Sequence, residues 1–565
     1  MAGSTLFAGV ALLTLVAPFE LTEPIVRLPR QSVSNLEAAV LCAFACGAAA
    51  VIWSRRLPVW QTPLTAPWVA VLVAMFVASA IAPVSRVNAM HMTGRLGAAF
   101  GVYLLAVNAV TTPARLTSVL RLALATGVVV SVLAILEYLG ARPVLTLLTA
   151  FRPAVTTVGS QIRAGGSLQY PTIAAMYLEV VFALGLGLLL TELDAARPAR
   201  VAWVFMALVV IAEAITLTFT RAGLITMTTS LLYVGTMRRT HRGGEAGVTL
   251  LAGLAVVIVL LCAGSRSPES VWLRLTSESQ ESWYRARFAA PPALELPTGR
   301  LTPVPITVTN TGRLPWDSHA TPPMLISYHW LGADGDRFVA FEGARTPFAA
   351  PVLPDATVSM DMVVRAPRQP GRYRLEWDIV QEGRLWFSTE PGAVRAMSTA
   401  TITGGTFDEP VLTMPPPRST LRPGRLVLWR AAARMFEAHP LVGVGPDNFR
   451  LTYGSYAGLS GTDERTHSNN MYLEMLAGGG LLVAAPFGWL LWRSALCASR
   501  IARIPGGLGG TATLGVAAAL LAIAVHASVD SFLSFAPTYV LFSLTLGCAV
   551  ACANGTETWP DAHRV

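Results

Sequence analysis

A histidine lies in a polar cluster directly before a long apolar stretch. His467 belongs to the segment THSNN, between Thr466 and the residues Ser468, Asn469 and Asn470. An imidazole has an ordinary pKa of about 6.5, so it can accept a hydroxyl proton near neutral pH or donate a hydrogen bond to a phosphate. We interpret His467 as a candidate general base, and helix capping is the alternative interpretation.

Arginines occur near the ends of other apolar stretches. Arg163 lies in QIRAGGSLQYP, Arg221 in TLTFTRAGLI, and Arg425 and Arg430 in GRLVLWRAAARMF. Guanidinium groups bind phosphate oxygens through paired hydrogen bonds. We therefore predict that these four residues bind an anion. The alternatives are contact of Arg221 with lipid headgroups and a solvated helix face for Arg425 and Arg430.

The remaining histidines give little support for a metal site. They stand at positions 91, 241, 319, 329, 439, 526 and 563, without an i, i+4 pair and without an acidic cluster beside them in the sequence. Structural and catalytic zinc sites usually draw on closely spaced histidine or cysteine ligands. The six cysteines form no CxxC pair. We expect no metal and no other cofactor.

The composition indicates an integral membrane protein. The chain has 565 residues, of which 53% are hydrophobic and 13% charged, against about 25% charged in soluble domains. Apolar segments near membrane-spanning length are predicted at 4–19, 36–53, 66–83, 96–110, 118–139, 172–191, 201–219, 223–237, 248–264, 470–493, 511–529 and 536–553. Glu137, Glu179 and Glu213 fall within or at the ends of these spans and are functional candidates, because buried charges are costly there.

Arginines in the short loops indicate the orientation. With the N-terminus inside, the cytoplasmic loops hold Arg55, Arg56, Arg115, Arg197, Arg200, Arg238, Arg239, Arg242, Arg493, Arg500 and Arg503. The positive-inside rule then places 265–469 outside. These loops also account for the formal net charge of +9, so we expect membrane lipids and no nucleic acid as partners.

A second kind of sequence lies within the outer region. Between about 294 and 404, apolar residues alternate with polar ones, as in YRLEWDIV and VSMDMVV. This period of two predicts an inserted all-β sandwich. Trp316, Trp330, Trp377 and Trp386 are interpreted as core residues, with a sugar-stacking platform as the alternative. The pattern resembles small immunoglobulin-like domains of bacterial envelope proteins.

These features predict four regions. Residues 1–264 contain nine spans, 265–424 form the insert, 425–469 contain an interfacial helix and a loop, and 470–565 contain three spans. The helix is predicted from an apolar stripe of Leu426, Trp429, Ala433 and Phe436.

Two segments carry a resemblance to a known family. HPLVGVGPDNF followed by THSNNMYLEMLAGGGLL resembles the O-antigen ligase and O-antigen polymerase superfamily of bacterial membrane glycosyltransferases. RAGGSLQYP and FTRAG resemble the arginine motifs of that family. This chain has Ser468 as an extra residue after the histidine, and Pro171–Thr172 where the family more often has Pro-Asn.

The resemblance implies a polytopic glycosyltransferase fold and a metal-independent, inverting transfer of a glycan from undecaprenyl pyrophosphate to a hydroxyl acceptor such as lipid A–core. It implies that Arg163 and Arg221 hold the pyrophosphate and that His467 is the base. It also implies the bacterial inner membrane, with the insert in the periplasm. A polymerase of lipid-linked repeats, a ligase acting on protein hydroxyls, a twelve-helix transporter and an envelope scaffold are the alternatives.

Overall fold

The computed structural model describes most of the chain in two compact units. The described residues are 2–28, 31–55, 57–152, 155–158, 161–240, 244–264, 283–320, 322–335, 337–382, 385–390, 393–404, 423–459, 462–503 and 510–554. The first unit comprises Met1–Thr156, Ile162–Val271 and Arg425–Val565, and the second comprises Thr157–Gln161 and Trp272–Gly424. The four predicted regions, with the insert at 265–424, stay predictions.

The first unit is helical. Before the insert it contains α1 (Ala2–Val16), α2 (Asn35–Ser54), α3 (Thr65–Ala80), α4 (Arg86–Ala109), α5 (Pro113–Tyr138), α6 (Arg142–Leu148), α7 (Pro171–Asp194), α8 (Pro198–Leu217), α9 (Arg221–Arg239) and α10 (Glu245–Gly264). After the insert come α11 (Arg425–Ala438), α12 (Phe449–Ala457), α13 (Met471–Arg503), α14 (Ala512–His526) and α15 (Ala536–Asn554). Two short hairpins, β1 (Val26–Leu28) with β2 (Gln31–Val33) and β3 (Thr156–Val158) with β4 (Gln161–Arg163), interrupt the helices.

Seven of the described helices are long and apolar enough to cross a membrane. They are α2, α5, α7, α8, α10, α13 and α15, and the shorter helices α1, α3 and α14 are also apolar. Helix α7 lies at the centre, because every residue of its most apolar window is buried inside the protein. The chain is therefore a helical multi-pass membrane protein. Helices α4 and α9 coincide with the other two predicted spans, and the count of twelve stays a prediction.

The second unit contains two β-sheets. The strands are β5 (Ala286–Ala289), β6 (Ala293–Pro297), β7 (Leu301–Asn310), β8 (Met324–Gly332), β9 (Phe338–Ala340), β10 (Thr357–Arg365), β11 (Gly371–Gln381), β12 (Leu385–Trp386) and β13 (Ala396–Thr403). The larger sheet has the order β6-β13-β11-β8-β9, with β12 paired to β11, and the smaller has the order β10-β7-β5. Tyr328 and Trp330 on β8 both hydrogen-bond to the main chain of Arg365 at the end of β10, which links the two sheets.

The tryptophans of this unit belong to its core. The exposed fractions of Trp316, Trp330, Trp377 and Trp386 are 0%, 2%, 2% and 5%. Their core interpretation is therefore confirmed, and a sugar-stacking platform formed by these four rings is excluded. The predicted immunoglobulin-like sandwich stays a prediction.

The helix predicted after the insert is present, and the residues that it buries differ from its predicted apolar stripe. In α11 the buried residues are Leu428, Ala431, Ala432 and Met435. Leu426 of the predicted stripe is 52% exposed, and Ala433 is also exposed. The buried face packs with Val444, Phe449, Tyr453 and Ala477. Ala431 and Ala432 form part of the buried face because their small side chains allow close packing, although alanine is only weakly hydrophobic.

Candidate active site

His467 is held by a carboxylate one turn into the following helix. Its Nδ1 atom lies 3.3 Å from Oε1 of Glu474, and the other oxygen of Glu474 accepts hydrogen bonds from the Ser468 N–H at 2.8 Å and the Ser531 hydroxyl at 3.3 Å. Asn470 caps α13 by accepting a hydrogen bond from the Leu473 N–H. The polar cluster therefore both starts the helix and orients the imidazole.

A second carboxylate lies near the same imidazole. Oδ1 of Asp447 is 3.9 Å from Nδ1 of His467, and its Oδ2 pairs with Arg450 at 3.0 Å. Arg450 also donates to the side chain of Asn88 on α4. Burial alone disfavours the charged imidazole, but the hydrogen bond to Glu474 and the charges of both carboxylates outweigh it and raise the pKa of His467.

The segment that carries Asp447 packs directly on the helix that follows His467. The N–H groups of Val444 and Gly445 donate to the carbonyls of Ala477 and Gly478 at 2.9 and 2.8 Å. A Cβ atom on Gly443, whose φ is +64°, would lie 2.4 Å from the Gly478 main chain. Gly443 and Gly445 therefore allow a close approach of this segment to the backbone of α13. This contact brings Asp447 to His467.

The two carboxylates change the sequence argument about metals. Ligand atoms of Asp447, His467 and Glu474 all lie within 4.8 Å of one another, a spacing at which they could hold a metal ion. Two carboxylates that are separated from His467 in sequence therefore lie close to it in the folded protein. However, Glu474 already accepts two hydrogen bonds from its neighbours, and Arg450 places a positive charge against Asp447. Such a charge disfavours a bound cation, and the absence of a metal stays a prediction.

Arg163 is held against the turn that precedes Arg221. Its Nε donates to the carbonyl of Thr218 at 3.1 Å, and its guanidinium lies 3.4 Å from the Thr220 hydroxyl. Phe219, with φ of +53°, makes this turn tight. The structure therefore brings the two arginine motifs together, and their role in binding pyrophosphate stays a prediction.

A buried ion pair positions the loop after Arg163. Glu137 on α5 accepts hydrogen bonds from the N–H groups of Gly165 and Gly166, both at 2.9 Å, and pairs with Arg152. Neither charged side chain is more than 2% exposed. The sequence indicates Glu137 only as a functional candidate. In the structure this residue fixes the backbone that follows Arg163.

Helix α11 brings a third arginine to this region. Arg425 lies on the first turn of α11. Its positive charge is near enough to Arg221 and to His526, at the end of α14, to disfavour further positive charge on both side chains. Trp429 of the same helix donates to the carbonyl of Asn469, two residues after His467. Arg430 is exposed and makes no hydrogen bond or ion pair within the described ranges. Arg163, Arg221 and Arg425 therefore form one basic group, which α11 connects to the His467 loop.

A second histidine and glutamate lie buried below this basic group. Nδ1 of His526 lies 2.7 Å from Glu179 on α7, and the same carboxylate oxygen accepts a hydrogen bond from Thr226, about one turn into α9 from Arg221. His526 and Glu179 are fully buried. Removing one partner of such a pair typically costs about 3–5 kcal/mol. The sequence marks Glu179 but gives no signal for its partner, which lies 347 residues further on.

The fold and this site define a multi-pass helical membrane protein with a histidine–carboxylate pair at the start of α13. A family model described as O-antigen ligase matches residues 398–488. The matched segment contains His467, Glu474, Asp447, Arg425 and Arg430. The match supports placing the chain in the O-antigen ligase superfamily and suggests a glycosyltransferase-like enzyme. Among curated proteins, none matches the chain.

Proposed function

We propose that the protein transfers a glycan from undecaprenyl pyrophosphate to a hydroxyl acceptor, lipid A–core or a similar glycolipid, on the periplasmic face of the bacterial inner membrane. The observation that carries the proposal is the His467–Glu474 pair within the segment that the O-antigen ligase model matches. An imidazole that is only 12% exposed and is oriented by a carboxylate is a suitable general base for a sugar hydroxyl.

The hydrogen bonds of His467 assign its two nitrogens. Nδ1 faces Glu474, so in the neutral ring Nδ1 carries the proton and donates it to the carboxylate. Nε2 is then free to accept the proton of the acceptor hydroxyl. The hydroxyl oxygen bonds to the anomeric carbon, and the bond from that carbon to the pyrophosphate breaks with its electron pair leaving on the phosphate. Attack from the face opposite the leaving group inverts the anomeric configuration.

The arginines act on the leaving group. Arg163 contacts the turn before Arg221, Arg425 begins α11, and Arg430 adds a charge on the exposed face of that helix. Their fixed positive charges stabilise the negative charge that grows on the pyrophosphate. They do so without a metal ion, and the Glu137 contacts keep the Arg163 loop in place before the donor arrives.

A reconstituted transfer assay tests the proposal. The purified protein receives undecaprenyl-pyrophosphate glycan in EDTA, with and without lipid A–core, and wild type is compared with His467→Ala. We expect wild type to move glycan onto lipid A–core and His467→Ala to lose the activity. The matched control is His319→Ala, because the His319 side chain is 80% exposed in the second unit; it should behave as wild type.

The same assay separates the alternatives. A ladder of longer carrier-linked glycans in the absence of lipid A–core would identify a polymerase. Activity that disappears in EDTA and returns with a divalent cation would overturn the metal-free mechanism and point to the Asp447–His467–Glu474 cluster. Equal activity in wild type and His467→Ala would remove His467 from the chemistry.

A further inference from the structure

A polar cavity is lined by a ring that also contacts His467. The cavity measures ≈ 340 Å³ and is bounded by the loop after α1, the start of α2, α4, the segment after Arg163 and the start of α15. Phe535 lines it, and the centroid of the same ring lies 5.6 Å from that of His467, edge to face. Ser534 lines both this cavity and the cleft that contains Glu474.

The acidic wall of the cavity is held rigidly. The segment that carries Glu20 is fixed by Asn35, which accepts from the Leu21 N–H and donates to the Phe19 carbonyl. The buried Ser167 hydroxyl donates to the Pro18 carbonyl of the same segment. Oε1 of Glu20 accepts a hydrogen bond from Ser34 at 3.2 Å. A carboxylate placed in this way is a preorganised hydrogen-bond acceptor.

Other polar groups face the same space. Arg95 lines the cavity and, in the ranges that the structure describes, makes no hydrogen bond or ion pair. The hydroxyl of Tyr539 likewise has no partner there, and Glu37 caps α2 with one of its oxygens. Phe151, Phe535 and Tyr539 supply aromatic surface. The cavity therefore combines carboxylate acceptors, a guanidinium donor, a phenol and apolar rings.

This chemistry suits a sugar ring and not a pyrophosphate. Two carboxylates against one guanidinium repel a polyanion, whereas vicinal hydroxyls donate to carboxylates and accept from arginine. Aromatic rings pack against the C–H face of a pyranose. The volume lies at the lower end of small-molecule sites, which fits one or two sugar residues.

We propose that this cavity binds the acceptor sugar of the transfer reaction and presents its hydroxyl to His467 past Phe535. The inference rests on the proposed glycan transfer and adds the residues that select the acceptor, Glu20, Arg95 and Tyr539. We assign the donor to the positive charge around Arg221, so the two substrates occupy chemically distinct sites.

Two conservative variants test the cavity. Glu20→Gln keeps the size of the side chain, and Tyr539→Phe removes only the hydroxyl. Each should raise the KM for lipid A–core about tenfold, the effect of losing one buried hydrogen bond to substrate, with the KM for the undecaprenyl-pyrophosphate donor unchanged. Glu23→Gln is the matched control, because Glu23 lies in the same loop with its side chain 77% exposed.

A binding measurement without donor separates this inference from the proposed function. Lipid A–core is titrated into the detergent-solubilised full chain, and the affinities of wild type, Glu20→Gln, Tyr539→Phe and Glu23→Gln are compared. Weaker binding by the two cavity variants alone supports the site even if wild type transfers nothing, in which case the proposed function fails separately. Equal binding by all four proteins, no binding by wild type, or a raised KM for the donor alone would overturn the acceptor assignment.

Discussion

At the scale of single residues, the charge environment of His467 determines when it can act as a base. Partial burial opposes the charged imidazole, but Glu474 and Asp447 stabilise the charged form and raise the pKa of His467. A base must be neutral, so kcat/KM should rise with pH through a midpoint above the ordinary value of about 6.5. Activity is then lost as pH falls through this raised value.

We expect Glu474→Gln to move that midpoint to lower pH, because it removes the main charge that favours the imidazolium and leaves the burial that opposes it. Its kcat should also fall, since Ser468 and Ser531 lose a charged acceptor. The pH profile of kcat/KM for wild type and variant measures the shift. Glu437→Gln is the control, because this carboxylate is exposed on α11. Activity that falls as pH rises through the midpoint would mean that His467 donates to the donor phosphate.

Arg221 offers a second residue-level prediction, on the donor. Arg221→Lys keeps the charge but loses the planar fork, so one of two parallel hydrogen bonds to phosphate is lost. The KM for undecaprenyl-pyrophosphate glycan should rise about tenfold or more, and the KM for the acceptor should stay unchanged. Arg239→Lys, an exposed residue at the other end of α9, should leave both constants unchanged. A donor KM that is insensitive to Arg221→Lys would favour contact with lipid headgroups.

At the scale of elements, the site depends on a close backbone contact between two segments. Val444 and Gly445 donate to α13 where Gly480, with φ of +58°, interrupts the helical backbone. The N–H groups of Leu481 and Leu482 then donate to the carbonyls of Pro440 and Leu441. The break in α13 and the turn before α12 therefore complete each other's hydrogen bonds.

We expect Gly443→Ala to destabilise the protein by about 1–3 kcal/mol, the usual cost of overpacking, since the added Cβ meets backbone that cannot move aside. Transfer activity should fall with it, because Asp447 and Arg450 follow directly. Gly488→Ala is the matched control, since a Cβ at Gly488 meets no heavy atom within 4 Å. Thermal unfolding in detergent measures both variants, and equal melting temperatures would contradict the packing argument.

Part of the site follows from the sequence and part does not. His467, Arg163 and Arg221 are recognisable because polar residues stand out against apolar surroundings. Asp447 and Arg450 are not, because a PDNFR segment is typical of any turn and nothing local indicates that Gly443 lies against Gly478. Pairings such as Glu179 with His526 depend on helix packing, which a pattern of hydrophobicity does not specify.

At the scale of the whole molecule, hydropathy locates the helices well, because a lipid environment allows few alternatives for a polar backbone. Each of the twelve predicted spans overlaps a helix. What hydropathy leaves open is whether the less apolar helices cross the membrane. Helix α4 carries Arg86, His91 and Arg95, and α9 contains a run of threonines. Neither is among the helices whose length and composition fit a span.

The orientation depends on these two helices, and reporter fusions decide it. If α9 spans, a reporter after Thr220 lies outside and one after Arg239 lies inside. We expect alkaline phosphatase to be active after Thr220 and inactive after Arg239, with green fluorescent protein giving the opposite pattern. The corresponding pair for α4 is Ser85 and Val110. Twelve spans also place a C-terminal fluorescent protein inside.

Phosphatase activity on both sides of α9 would remove that span and place the arginine-rich end of the helix on the same face as Arg221. The basic group would then no longer mark one side of the membrane, and the positive-inside assignment of the loops would need to be reversed from that point onward.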